Sequence, residues 1–149
     1  MTAVRVKICG FTRPSDVRAA VVAGADALGF VFAPRSKRVL TIPRAAELVT
    51  GVPAFVSRVG LFMDQDYEAV ARILDRVPLN LLQFHGAEDA AFCRRFGLPY
   101  IKAVSMDSDR AVERAGQEYT DASALLLDSH EPGAPGGTGM SPWRMMTEW

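Results

Sequence analysis

Several short stretches hold side chains whose types and placing could move protons or hold an anion. In "VRVKICGFT", residues 4–12, polar and apolar residues alternate up to Cys9, and Gly10 follows at once. An ionised thiol at such an edge can act as a base, although a free cysteine equally serves as a small buried apolar residue. In "LLLDSHEPGAPGGTG" an apolar run ends on Asp128, a carboxyl able to deliver a proton or simply to cap a turn. "LLQFHG" places Gln83 and His85 two residues apart, on one face of an extended segment, where a histidine either transfers protons or supports a neighbour by hydrogen bonding. "FAPRSKR" contributes Arg35, Lys37 and Arg38, and an arginine can grip a planar carboxylate with two parallel hydrogen bonds. Gly136, Gly137, Thr138 and Gly139 suit either an anion-cradling loop or a plain flexible one. Cys93, beside Phe92 and close to Phe96, reads as core, and His130 has no partner at metal-ligand spacing, so no metal site is expected.

These residues need elements to present them. Runs rich in Val, Ile, Leu and Phe start at Val4, Ala27, Ser57, Leu79, Tyr100 and Ala124, each with the length of a strand. Between them lie helical spacings, beginning near Pro14, Pro43, Asp66, Glu88 and Asp109, several punctuated by Pro at the start or Gly just past the end. Ser15 is the expected N-cap of the first helix. Strand starts recur roughly every 24 residues, a βα repeat that calls for parallel strands with helical crossovers. Length favours an open doubly wound sheet, since an eightfold barrel needs about 200 residues or more. The first strand argues the other way. Its Val4, Val6 and Ile8 form an apolar face for helices, while Arg5, Lys7 and Cys9 make a polar face, which suits the inside of a barrel near its catalytic end.

Composition narrows the class. The 149 residues are 49% apolar and 23% charged, as expected of one soluble domain over 1–149 with no linker. Seventeen basic residues balance seventeen acidic ones, and no dense basic run is available to follow a phosphate backbone, so nucleic acid is not an expected partner. The most apolar stretch is interrupted by Asp26 and is too short to span a bilayer, and the amino terminus lacks a signal-like apolar run, so no membrane partner and a cytoplasmic location are expected. Two cysteines far apart, without CxxC spacing, predict free thiols.

Taken in order, "KICGFT", "GADALGFVFAPRSKR", "LLQFHG" and "LLLDS" followed by "GGTG" resemble the phosphoribosylanthranilate isomerase family of tryptophan biosynthesis. The resemblance implies an α/β fold of the (βα)8 TIM-barrel type, which overrules the open sheet, with about six βα units in this chain. It also implies an Amadori rearrangement of a phosphorylated sugar-anthranilate substrate, with no cofactor. On it, Asp128 matches the acid that protonates the furanose oxygen and Cys9 the base that removes the C2 proton. Arg38 matches the arginine that holds the anthranilate carboxylate, and Gln83 and His85 match a strand-end motif at the substrate. Asp128 must then hold a proton while Cys9 is available as thiolate. Lys7, two residues back on the same face and about 6 to 7 Å away by strand rise, would favour that anion.

The resemblance thins after Gly139. The chain continues "MSPWRMMTEW", with Met140 where the family's lysine is expected, so 140–149 read as an atypical tail and the phosphate grip as incomplete. Strands one and six are then expected to be exposed edges, open to self-association or to a complementing chain.

Overall fold

The computed structural model describes residues 4–106 and 108–128. Six strands alternate with five helices: β1 (Lys7–Cys9), α1 (Pro14–Val22), β2 (Ala27–Val31), α2 (Ile42–Val49), β3 (Ser57–Phe62), α3 (Tyr67–Leu74), β4 (Leu81–Phe84), α4 (Ala90–Cys93, continued by a 3-10 turn at Arg94–Phe96), β5 (Tyr100–Ser105), α5 (Asp109–Glu118) and β6 (Ala124–Asp128). Every neighbouring pair is parallel, and the order across the sheet is β1-β2-β3-β4-β5-β6. A doubly wound sheet reverses direction part-way and so breaks sequence order. Here no reversal occurs, and the strands form a half-barrel. The open sheet that length favoured is therefore corrected, because strand order is decided by long-range pairing and not by chain length.

The core lies between one face of the sheet and the helices. Leu28, Phe30, Phe62, Leu82 and Phe84 from the strands meet Val17 and Ala20 of α1, Ala45, Leu48 and Val49 of α2, Val70 and Ile73 of α3, and Cys93 of α4. Phe32 stacks on Phe62 at 5.4 Å, and Phe62 meets Phe84 at 5.9 Å, so aromatic contacts run along the middle strands. Each such buried ring contributes about 1.5–3 kcal/mol. Helix starts follow local chemistry: Thr41, Asp66, Asp89 and Ser108 each accept from the backbone N–H three residues on. Each cap is worth about 1 kcal/mol. The first helix differs from expectation. It begins at Pro14 after Arg13, with no side-chain cap, and the Ser15 hydroxyl turns instead to Asp16.

A second correction concerns β1. Its apolar face was expected to pack on helices, yet Val4, Val6 and Ile8 are exposed, Val4 to 86%. Leu126 and Leu127 of β6 are also exposed. Among the described residues both strands have a neighbour on one side only.

Candidate active site

Because Leu28, Phe30, Phe62, Leu82 and Phe84 face the helices, alternation turns Lys7, Cys9, Gly29, Val31, Val59, Gln83, Ile101, Ala103, Leu126 and Asp128 to the opposite, inner face. The half-buried Cys9 ends β1 and stands in register with Gly29 of β2. A Cβ on Gly29 would lie 2.4 Å from the Cys9 Sγ, so only glycine leaves the thiol its seat. Gly10 turns the chain at once with φ +95°, and a Cβ there would lie 2.1 Å from Arg38 Nη1. That guanidinium, sent in from the loop after β2, donates to the Cys9 carbonyl at 2.7 Å. Arg38 and Cys9 thus form one group at the β1–β2 end.

A second group lies across β3. His85, just past β4, approaches Asp128 at the end of β6, with Nε2 to Oδ2 at 2.8 Å, and Gln83 Nε2 lies 3.2 Å from His85 Nδ1. The predicted strand-end residues are therefore gathered on one face in two clusters, Cys9 with Arg38 and Gln83–His85–Asp128. Lys7 shares that face, one pleat below Cys9. His130, the Gly136–Gly139 run and the 140–149 tail lie outside the described residues.

Sequence reasoning did not find the brace beneath His85. Glu88, buried in the loop after β4, accepts from the backbone N–H of Asp64 at 2.7 Å and of Gly86 at 2.9 Å. Asp64 accepts in return from Ala87 N–H at 2.7 Å. The buried Lys102 of β5, on the helix-facing side, lies 3.5 Å from Glu88 and bonds the Gly86 carbonyl. These bonds lock the loops after β3 and β4 together, and His85 N–H donates to the Phe62 carbonyl at 2.9 Å. The sequence signal was a lysine inside the apolar run "YIKAV".

Electrostatics separate the two thiols. Cys93 is fully buried, and that burial, partly countered by the Lys102 cation, pushes its thiol up to about 12. It is chemically inert core. Burial likewise pushes the Tyr119 hydroxyl, which donates to the Glu88 carbonyl at 2.9 Å, up to about 12. Asp121 accepts from the Tyr100 hydroxyl at 2.7 Å, which holds its carboxyl below the usual range. No group of three or more His, Cys, Asp or Glu side chains is placed to share a metal ion among the described residues, and no described helix is long and apolar enough to cross a membrane.

Comparison with known proteins decides the family. The profile of N-(5'phosphoribosyl)anthranilate (PRA) isomerase matches residues 6–147. The chain belongs to the phosphoribosylanthranilate isomerase family. It is 52% identical over 145 residues to the N-(5'-phosphoribosyl)anthranilate isomerase of Thiobacillus denitrificans, covering 97% of this chain and 71% of that protein. Among solved phosphoribosylanthranilate isomerases, the Thermotoga maritima structure superposes with a TM-score of 0.84 at 38% identity, covering 95% of this chain and 69% of that one. Another, in complex with reduced 1-(o-carboxyphenylamino)-1-deoxyribulose 5-phosphate, gives a TM-score of 0.79 at 41% identity, covering 85% of this chain and 65% of that one. The chain thus spans about two thirds of the length of these solved family members.

Proposed function

We propose that this chain carries out the isomerisation of N-(5-phosphoribosyl)anthranilate to 1-(2-carboxyphenylamino)-1-deoxyribulose 5-phosphate, a step of tryptophan biosynthesis, in the cytoplasm and without a cofactor. The observation that carries this reading is the family match together with the placing of Cys9, Arg38, His85 and Asp128 at the carboxyl ends of parallel strands, where barrel enzymes hold their chemistry. Asp128 gives its proton to the furanose ring oxygen. The C1–O bond breaks, and the nitrogen lone pair forms an iminium at C1. Cys9, as thiolate, then takes the proton from C2, and the C2–H electron pair forms the enolamine while the iminium is neutralised. Tautomerisation of the enolamine gives the C2 ketone. Arg38 holds the anthranilate carboxylate, Lys7 favours the Cys9 anion, and Gln83 and His85 complete the substrate side of the site. Growth of an isomerase-deficient cell without added tryptophan, dependent on Cys9 and Asp128, tests the reading, and growth that persists in both Cys9→Ala and Asp128→Asn refutes it.

A second reading rests on the exposed Val4, Val6, Ile8, Leu126 and Leu127. On that reading the chain is active only when another chain, or a second copy, covers its edge strands. Rescue by this chain alone would exclude the need for a different chain and leave only pairing of two copies, whereas rescue only with a co-expressed two-strand segment would favour a complementing chain.

A further inference from the structure

Gln83 is 2% exposed, yet among the described residues its Oε1 has no hydrogen-bond partner, while its Nε2 faces His85 Nδ1. An amide N–H can donate only to a ring nitrogen that lacks a hydrogen, so His85 in this arrangement carries its proton on Nε2 and donates it to Asp128 Oδ2. The contact bridges two strands that are not neighbours. Phe84 pairs with Lys102, which sets His85 level with Ala103 of β5, and Ala103 in turn pairs with Leu126. A methyl group at that inner position leaves the imidazole room to cross from β4 to β6.

We propose that Gln83 is a positioning residue that sets the proton occupancy of the His85–Asp128 pair by turning its amide; this rests on Asp128 acting as the acid. On this proposal, with the amide so turned, the pair holds one proton, on Nε2, facing an Asp128 carboxylate. Uptake of a second proton from solvent places a hydrogen on Nδ1, and the Gln83 amide turns half a revolution so that its unpartnered Oε1 accepts it. The Nε2 proton can then sit on Oδ2, which makes Asp128 a neutral acid beside a neutral ring. After delivery of that proton the pair again holds one, and exchange with solvent moves it from Nδ1 back to Nε2. The titratable side chains on the inner face of the described strands are Lys7, Cys9, His85 and Asp128. Asp64 and Glu88 in the flanking loops are engaged with backbone N–H groups, and Lys102, on the other face, pairs with Glu88. The ordinary titration of an isolated surface histidine would not depend on position 83.

The test is the titration of the His85 ring by nitrogen NMR on the full chain, with its signals identified by their loss in His85→Asn. Gln83→Leu keeps the buried shape but removes the acceptor, so proton uptake should fall to lower pH by about tenfold in proton concentration, one pH unit. Gln83→Glu offers a stronger acceptor and should move uptake to higher pH by at least as much. Opposite shifts support the proposal, and equal midpoints in all three proteins, or shifts of the same sign, overturn it. In the active enzyme the pH profile of kcat should move in the same directions, whereas a profile that stays still in both variants overturns it. Turnover of Asp128→Asn decides the acid reading separately, because the His85 ring titration in the position-83 variants is read without any assay of activity.

Discussion

The guanidinium of Arg38 donates to the backbone carbonyl of Cys9 at 2.7 Å, so the residue that would hold a substrate carboxylate also steadies the strand end that carries the thiol. On the proposed roles, substrate binding and base placement are thereby coupled through one side chain. Arg38→Lys keeps the charge but not the planar fork. Each charge-assisted hydrogen bond is worth about 1.5–3 kcal/mol. Steady-state kinetics should therefore show kcat/KM lower by roughly ten- to a hundredfold or more, with kcat falling as well as KM rising. A pure KM effect would show that Arg38 touches substrate only.

Gly10 and Gly24 allow a controlled comparison. Both have positive φ, but a Cβ at Gly24 would meet nothing within 4 Å, whereas at Gly10 it would run into Arg38. Gly24→Ala should cost about 1–2 kcal/mol in denaturant unfolding, the price of the left-handed backbone alone. Gly10→Ala should cost more and also depress activity as Arg38 is displaced.

For the proton transfers, Cys9→Ala and Asp128→Asn should each lower kcat by at least about 10²–10⁴-fold while leaving KM nearly unchanged, because on the proposed mechanism both act on the reacting atoms. An unaltered kcat in either variant removes that residue from the chemistry.

The two thiols should differ in reactivity. A small thiol reagent at pH 8 should label Cys9 promptly and reach Cys93 only after unfolding. The pH dependence of stability follows from Cys93. The unfolded thiol ionises near about 8.5, whereas the folded one is pushed up to about 12 by burial. Its contribution is therefore full below pH about 8.5 and lost as pH rises towards the folded value. Cys93→Ala should show a shallower alkaline fall, measured by denaturant midpoints across that range.

Asp26 carries the opposite sign. It accepts from Val6 N–H and pairs with Arg5, both at 2.7 Å, and these partners hold its carboxyl below the ordinary range. Its contribution is present above about pH 3.9 and lost as pH falls through the lower folded value. Asp26→Asn should lower stability at neutral pH and flatten the acid limb of a stability profile.

The buried Lys102–Glu88 pair should be costly to break. Lys102→Met leaves Glu88 buried without its cation, and thermal or denaturant unfolding should report a loss of about 3–5 kcal/mol.

Much of this arrangement was legible in the sequence because it is local. Alternation in "VRVKIC" placed Lys7 and Cys9 on one face, and spacing put Gln83 and His85 together. The apolar run before Asp128 marked a strand end. What could not be read depends on register between distant segments. The need for glycine at position 29 exists only because Cys9 lies beside it, and the small size of Ala103 matters only because His85 must cross β5. Lys102 and Glu88 sit in different elements, and nothing local to either announces the other. The exposure of Val4, Val6 and Ile8 escaped for the same reason, since an alternating strand does not reveal whether a layer lies over it.

The unbroken order of the six strands also bears on how the chain acquires its structure. Each strand pairs with the one before it, roughly 20 to 30 residues back along the chain, so every closure carries a similar and modest entropic cost. Among the described residues no strand must wait for a remote partner. Assembly can proceed from the amino terminus one βα unit at a time as the chain leaves the ribosome, each unit docking on a surface its predecessor has already formed.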